Sequence, residues 1–361
     1  MSDILLREMS NADIDWVVTT GERQQLVDSD VLIAPGGAHS NDGPNDELGS
    51  SDKLESLYLV LEGELAMSAP CSGEVFATLS RGDFIGASWL FDAQPVSVTT
   101  AKGDALVLAI PGELLRQKLL ADVSFAAHLY RTLALLAAER IRTQFEAASN
   151  AELLRYQSGQ MVKEALFVFG ELKDSDIDWM MGIGQVSRIA ADKVLLNLGR
   201  PVDALYVVLD GRLSISTTDT PYDPLSTCSH GLQEQCHAFT PIAYLSKGGL
   251  PGIISFLDLK PLPVRIDAVK ESKVLAIPRQ QVLVRLQEDL GFAARFYRVL
   301  ATQTAQLLES VTAIECRTSP DNNAANDFSS ENELDLEELQ QVSEGAQKFD
   351  WMLKRLSAPV A

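Results

Sequence analysis

The sequence is short of the features that mark secreted and membrane-spanning proteins. Its 361 residues include four cysteines, Cys71, Cys228, Cys236 and Cys316, too few for a disulfide framework in so long a chain. No apolar run reaches the roughly 18 residues of a membrane helix, and the first residues have neither a basic flank nor an apolar signal core. These absences predict a cytoplasmic protein without membrane insertion.

Positive charge is also scarce. Thirty basic residues stand against 50 acidic residues, which gives a formal net charge of −20. Such a surface repels phosphate backbones unless a local basic patch outweighs it, so nucleic acid is not expected as a partner. The hydrophobic content of 46 % is ordinary for a globular chain, and the length predicts two globular units.

The motifs of common catalytic sites are missing. The chain has no Gly-x-Ser-x-Gly elbow, no Walker loop, no kinase signature and no His-Glu-x-x-His. We therefore predict that the protein is not an enzyme and needs no cofactor.

An internal repeat organises the chain. Six blocks recur in the same order: Asp13–Trp16 with Asp176–Trp179, Val31–Ile33 with Val194–Leu196, Leu57–Met67 with Leu205–Ile215, Leu79–Gly82 with Leu245–Gly248, Ala109–Pro111 with Ala276–Pro278, and Phe125–Arg131 with Phe292–Arg298. The offset between copies falls from 163 to 148 and returns to 166–167, so each copy carries an insertion of its own. Two copies of one domain are expected.

Within each copy, the pattern changes from β to helical. Short apolar runs end at Gly63 and Gly211, and further short runs are separated by Gly, Pro and Asp, which favours a sandwich or jelly roll. After Pro111 and Pro278 apolar residues recur every three or four positions, which is typical of helices with one buried face.

These markers, together with the run from Gly82 to Gly86, resemble the cyclic-nucleotide-binding domain of bacterial catabolite-activator regulators and of regulatory subunits of cyclic-AMP-dependent kinase. The resemblance implies a mainly β fold with flanking α: two β jelly-roll (double-stranded β-helix) domains joined by helices, plus a C-terminal amphipathic helix. The expected domains are residues 1–145 and 165–315, with a helical linker at 146–164, a flexible acidic linker at 316–333 and a docking helix at 334–357.

In that family a short cassette holds the ligand, with a Glu on the ribose and an Arg on the cyclic phosphate. The first cassette of this chain, residues 86–99, has Ala87 and Val96 at these two positions, and the second, residues 252–265, has Ile253 and Leu262. We therefore predict that both copies have lost the usual polar anchors, because a buried phosphate needs a cationic partner. The remaining ligand-binding candidates are Gly86, Ser88, Thr99, Gly252, Ser255 and Arg265. Arg265 either swings into the cassette or is an ordinary strand arginine.

A cysteine and histidine group lies in the insertion of the second copy. Cys228, His230, Cys236 and His237 suit tetrahedral zinc in type and number, although their spacing is not a familiar one. A loop without chemistry, a metal site and a reversible Cys228–Cys236 disulfide all remain open.

The C-terminal segment predicts an amphipathic helix tethered by a polar linker. Its apolar face is formed by Leu336, Leu339, Val342, Phe349, Leu353 and Leu356. This face docks either on its own domain or on a partner protein or second copy, and we favour the partner. The preferred hypothesis is a non-enzymatic regulatory or assembly protein that acts through protein–protein contacts. The alternative is a sensor that binds a cyclic nucleotide or other small effector and signals through its helices.

Overall fold

The computed structural model describes residues 3–35, 55–70, 73, 75–91, 95, 97–147, 170–218, 239–317 and 336–357. Its contacts divide the chain into two compact units. Unit 1 comprises Met1–Ile141 with Leu300–Asn323, and unit 2 comprises Arg142–Val299 with Ala324–Ala361. The domains expected from the sequence, 1–145 and 165–315, are contiguous. Here residues 300–323 belong to unit 1 and residues 142–145 belong to unit 2.

Unit 1 begins with two short helices, α1 (Asp3–Glu8) and α2 (Asn11–Thr20). Its strands are β1 (Glu22–Leu26), β2 (Val31–Ile33), β3 (Ser56–Ser68), β4 (Val75–Leu79), β5 (Phe84–Ile85) and β6 (Val98–Pro111). A 3-10 turn at Ser88–Phe91 precedes β6, and helices α3 (Gly112–Ala121) and α4 (Val123–Ala147) follow it. All strand pairs are antiparallel, in the order β1-β6-β3-β4, with β2 on β6 and β5 on β3.

Unit 2 repeats this order. Helix α5 (Asp174–Ile183) precedes strands β7 (Gln185–Ile189), β8 (Val194–Leu196), β9 (Ala204–Thr218), β10 (Phe239–Leu245) and β11 (Arg265–Pro278), with helix α6 (Ile253–Asp258) before β11. Helices α7 (Arg279–Glu288), α8 (Leu290–Arg317) and α9 (Leu336–Ser357) follow. The antiparallel order is β10-β9-β11-β7, and β8 pairs with β11. Together the two units confirm the predicted mainly β fold with flanking helices.

The long central strands β3 and β9 bend at the two glycines that the sequence marks. Gly63 has φ of 80° and Gly211 has φ of 108°, a region in which residues with a Cβ are strained. On both sides of the bend the strand is buried, with Leu57 and Leu65 fully inside unit 1. Each long strand therefore forms two antiparallel stretches joined by a glycine bend.

An equivalent aromatic pair joins the entry helix to the exit helix in each unit. The rings of Trp16 and Phe125 lie edge to face at 5.0 Å in unit 1, and those of Trp179 and Phe292 do so at 5.5 Å in unit 2. Because an edge-to-face pair fixes the angle between two elements as well as burying area, the entry helix and the exit helix hold the same position in each copy.

A buried aspartate near the start of the entry helix differs in its partner between the copies. Asp13 accepts from the Ser10 backbone N–H at 2.8 Å and lies 2.8 Å from Nδ1 of His128. Its counterpart Asp176 receives two hydrogen bonds from Arg295, at 2.9 and 3.1 Å. Burial raises the pKa of Asp13, but the Ser10 and His128 contacts outweigh it and leave the pKa below its usual value.

Within the described part of the chain, no helix is long and apolar enough to cross a membrane. Of the flexible acidic linker predicted at 316–333, Cys316 and Arg317 instead form the end of helix α8 and the other residues lie outside the described part of the chain. Most of the predicted linker at 146–164 and the cysteine and histidine group at Cys228, His230, Cys236 and His237 also lie outside it.

Candidate functional site

Unit 1 contains a cavity of about 100 Å³ against its cassette. Strand residues Ile33, Met67, Phe84 and Ile85 form one side of it, and the cassette residues Gly86, Ala87, Ser88, Phe91, Pro95, Ser97 and Thr99 form a second side. The remaining wall is helical, with Leu133, Leu136, Ala137 and Arg140 from α4 and Ala301, Ala305 and Leu308 from α8. Three of the predicted ligand residues, Gly86, Ser88 and Thr99, line this cavity.

The geometry of the cassette explains its glycine. Gly86 has φ of 80°, and a Cβ at this position would lie 2.8 Å from the Ser56 carbonyl oxygen. Next to it, Ala87 lines the cavity with a methyl group where the family has a glutamate. Val96, which occupies the position of the family's arginine, lies outside the described residues. The predicted loss of the glutamate anchor therefore corresponds to an apolar stretch of the cavity wall.

The cavity wall also contains an arginine, which belongs to helix α4 rather than to the cassette. Arg140 of α4 donates from Nη2 to the Phe84 carbonyl oxygen at 2.7 Å. Burial lowers the pKa of Arg140, although the charges of Asp83 and Glu139 act in the opposite direction. Two buried residues with hydroxyl groups also line the cavity: Thr99, which is 1 % exposed, and Ser97, which is 8 % exposed. The cavity thus combines one desolvated cation with hydroxyl groups in an apolar frame.

Arg140 is not among the residues predicted from the sequence, because it lies far outside the cassette. At the offset of 167 that relates the final helices, the position of Arg140 is occupied by Leu307 in the second copy. A charged residue within a helix whose repeat partner is apolar is the signal that could have revealed it.

The second cassette is a packed structural element. Ser255 is fully buried, its hydroxyl donates to the Lys260 carbonyl oxygen at 2.5 Å, and it accepts from the Val202 backbone N–H at 3.2 Å. Leu262 is 2 % exposed, and a Cβ on Gly252 would meet the Leu196 side chain at 2.7 Å. In this copy the predicted ligand residues Gly252 and Ser255 serve internal packing.

Arg265 is engaged on its own strand. Its Nε donates to Asp267 at 2.8 Å, and its guanidinium lies 4.5 Å from the centre of the Phe239 ring. These contacts match the strand arginine of the two expected alternatives.

Arg142 fixes the loop that follows helix α6 in the second cassette. This arginine, which is 8 % exposed, donates to both carboxylate oxygens of Asp258 at 2.9 to 3.1 Å and to the Pro261 carbonyl oxygen at 2.5 Å. A bidentate charge-assisted pair holds both partners in one orientation, so the loop has little freedom to move.

The C-terminal helix packs within unit 2. Phe349 and Met352 are each 1 % exposed, Lys348 donates to the carbonyl oxygens of Gly170 and Leu172 at 3.1 and 2.9 Å, and Arg355 pairs with Asp178. The ring of Phe349 is thus covered by its own unit, which corresponds to the first of the two expected alternatives, and docking of this residue on a partner stays a prediction.

The other five residues of the predicted docking face fall into two groups. Leu353 and Leu356 are partly buried, so they do not form an open apolar face. The side chains of Leu336, Leu339 and Val342 lie outside the described residues, although the helix itself begins at Leu336. For these three residues partner docking stays a prediction.

Residues 49–122 match the family model of the cyclic nucleotide-binding domain. This segment carries the first cassette, so the resemblance deduced from the sequence is confirmed for residues 49–122. Such domains are regulatory modules that sense ligands. No curated protein matches the chain.

Solved structures of two kinds are similar to the chain. One is the regulatory domain of Toxoplasma gondii PKA with cAMP, at 15 % identity, 80 % coverage of this chain, 89 % of that chain and a TM-score of 0.26. Another is the regulatory subunit of a cAMP-independent protein kinase A from Trypanosoma cruzi bound to guanosine, at 12 % identity, 80 % and 85 % coverage and a TM-score of 0.26. The N-terminal domain of a transcriptional regulator from Streptomyces coelicolor A3(2) has 21 % identity, 39 % and 88 % coverage and a TM-score of 0.32. At these scores the similarities carry no functional argument.

Proposed function

We propose that the protein is a non-enzymatic regulatory protein whose unit 1 senses a small anionic ligand in the cassette cavity, with Arg140 as the anion anchor. The cassette of unit 2 takes no ligand in this proposal, because its residues serve internal packing. The single observation that supports this function is that Arg140 lines the same cavity as Ser97 and Thr99.

The bonding of Arg140 leaves donors for a ligand. Among the described residues, the Phe84 carbonyl oxygen is the acceptor of its hydrogen bond, and only Nη2 is used. A guanidinium offers five N–H donors in a planar fork that matches a carboxylate or a phosphate. Burial disfavours the charged guanidinium, and the carboxylates of Asp83 and Glu139 offset this only in part, because the pKa of Arg140 stays lowered. An anion bound in the cavity restores more of the lost interaction. Arg140 therefore replaces, from the helix, the cationic anchor that the cassette lacks.

The size of the cavity limits the ligand. About 100 Å³ lies below the roughly 300 to 1,000 Å³ typical of small-molecule pockets. A phosphate or a small carboxylate is admitted at this size, whereas a cyclic nucleotide requires the cavity to widen. We therefore expect small phosphorylated or carboxylated compounds to bind before cyclic AMP or cyclic GMP does.

A thermal-shift titration of the full chain tests the proposal, with inorganic phosphate, cyclic AMP and cyclic GMP as separate arms. Ligand at 100 times its dissociation constant adds about 2.7 kcal/mol, which raises the melting temperature by about 5 to 10 °C in a unit of this size. Arg140→Gln should abolish the shift, and Arg140→Lys should restore only part of it, because an ammonium lacks the planar fork.

The matched control is Arg81→Gln, which removes an exposed arginine of unit 1 that does not line the cavity. It should leave the shift unchanged. If no anion raises the melting temperature, or if Arg140→Gln and Arg81→Gln behave alike, the sensor function is wrong.

An assembly role is the second candidate, and the packed second cassette favours it. A cyclic-nucleotide-binding fold whose cassette is filled by Leu262 and by the internally bonded Ser255 serves as a scaffold rather than a receptor. Light scattering of the full chain with and without phosphate tests this role. A self-associated state that is independent of added anion supports it, and a monomer contradicts it.

A further inference from the structure

Unit 2 carries a second cavity, unconnected with its cassette. It has a volume of about 390 Å³ and is bounded by the strands β7, β9 and β11 and by the last turns of helix α9. Its lining consists of Val186, Arg188, Leu209, Asp210, Lys247, Lys273, Leu353 and Leu356. We call this cavity the α9 groove. Three of its eight residues are cationic and one is acidic, in a chain whose net charge is −20.

Two of the cations face each other across neighbouring strands. Lys273 on β11 is the direct register partner of Arg188 on β7, and on its other side it pairs with Asp210 on β9. Directly paired residues point to the same face of a sheet, and like charges in such a pair are destabilising. In the described part of the chain neither Arg188 nor Lys273 forms a side-chain hydrogen bond or ion pair. The register thus places two cations and one carboxylate in a row. Asp210 offsets part of the repulsion, whereas the edge residue Arg188 has no acidic register partner among the described strands.

The third cation is held at the edge of the groove. Lys247 lies 3.5 Å from Asp350 of α9, and its ammonium is 5.2 Å from the centre of the Phe349 ring. These contacts attach α9 to the loop after β10. Because they engage Lys247, Arg188 and Lys273 are the cations of the groove that remain for a ligand.

The first copy provides an internal comparison. At the same place in its sheet Gln25 of β1 pairs with Leu106 of β6, and Glu62 of β3 pairs with Leu106 on the other side. The acidic neighbour is therefore common to both copies, whereas the two facing cations occur only in the copy that is covered by α9. A requirement of the jelly-roll fold would apply to both copies, so the cation pair is not needed for the fold and is particular to the copy that α9 covers.

The apolar part of the groove comes from both the sheet and the helix. Leu209 is 3 % exposed and forms the floor, while Leu353 and Leu356 of α9 are partly buried beside it. A volume of about 390 Å³ with apolar walls and a few charged groups is within the range of small-molecule sites, which begins near 300 Å³, and is too small for a folded partner.

We propose that the α9 groove binds a small amphipathic anion, such as a carboxylate with an aliphatic or aromatic body. The anionic group lies between Arg188 and Lys273, where it relieves their repulsion, and the apolar body packs against Leu353 and Leu356. Such a ligand joins helix and sheet, so it also strengthens the docking of α9. This site is independent of the Arg140 cavity in residues, volume and ligand shape.

Isothermal titration calorimetry of the full chain with octanoate tests the proposal, with octanol as the uncharged probe of equal length. Octanoate should bind at least about tenfold more tightly than octanol, because charge-assisted contacts add to the same apolar burial. Lys273→Gln should weaken octanoate binding about tenfold or more. The matched control, Lys270→Gln, removes an exposed lysine of β11 outside the groove and should change the affinity less than about twofold.

Two further measurements distinguish a ligand-binding cation pair from cations that only support the fold. Arg188→Gln should raise the unfolding midpoint of the ligand-free chain, because it removes the like-charge neighbour of Lys273 and keeps the Lys273–Asp210 pair, whereas substitution of a purely structural arginine would lower the midpoint. Arg140→Gln should leave octanoate binding unchanged, so failure of the sensor function does not affect this result. Equal affinity for octanoate and octanol, absence of binding, or equal effects of Lys273→Gln and Lys270→Gln would overturn the proposal.

Discussion

Replacing Phe349 by alanine measures how firmly the C-terminal helix is docked. The ring is 1 % exposed within unit 2, and the loss of a buried phenylalanine costs about 3 to 5 kcal/mol. If α9 remains on its unit, urea unfolding should show this loss as a midpoint lowered by about 1.5 to 2.5 M, at a slope of about 2 kcal/mol per molar.

Hydrogen exchange supplies the second readout, because local opening of α9 appears there directly. The same 3 to 5 kcal/mol corresponds to a loss of protection of about two to nearly four orders of magnitude at the α9 amides. Trp351→Ala is the matched control, since it removes a larger aromatic ring that is 39 % exposed on the same helix. Equal effects of Phe349→Ala and Trp351→Ala on protection and midpoint would refute the packing argument and restore a partner as the occupant of this face.

Two further predictions concern charged groups inside the units. The pKa of Asp13 is lowered in the folded chain, so its contribution to stability is present above its unfolded value of 3.8 and is lost as the pH falls through the lower folded value. Asp13→Asn should therefore flatten the decline of the unfolding free energy below about pH 4, as measured by urea titration at a series of pH values. Arg142→Ala should destabilise unit 2 by about 3 to 5 kcal/mol, since it leaves the buried Asp258 carboxylate unpaired. In a double-mutant cycle with Asp258→Ala, additive losses would contradict this coupling.

The fold could be predicted from the sequence because the patterns that indicate it are local and occur twice. The bends at Gly63 and Gly211 depend on the conformational freedom of single residues, and the aromatic partners Trp16 and Phe125 lie in blocks that the repeat identifies. Each of these features is specified by residue type at a fixed position, so the pattern alone indicates it.

The chemistry of the sites was less accessible because it arises from contacts distant in sequence. Arg140 bonds to Phe84, just before the cassette, across 56 residues, and Arg142 bonds to Asp258 across 116. Nothing in the local pattern distinguishes these arginines from others on a helix surface. The same holds for Phe349, whose apolar face is equally consistent with its own unit or a partner. For Arg188 and Lys273 only the strand register shows that the two charges face each other.

Because residues 300–323 belong to unit 1, the order of synthesis decides when the unit 1 cavity is completed. The α4 wall of the unit 1 cavity ends near Arg140, but its α8 wall begins at Ala301, which is synthesised 161 residues later. At about 5 to 20 residues per second this interval lasts about 10 to 30 seconds. Throughout that time the apolar cassette wall, with Phe84, Leu133 and Leu136, awaits its covering helix. The nascent first repeat therefore lacks one wall of its cavity until helix α8 of the second repeat has been made.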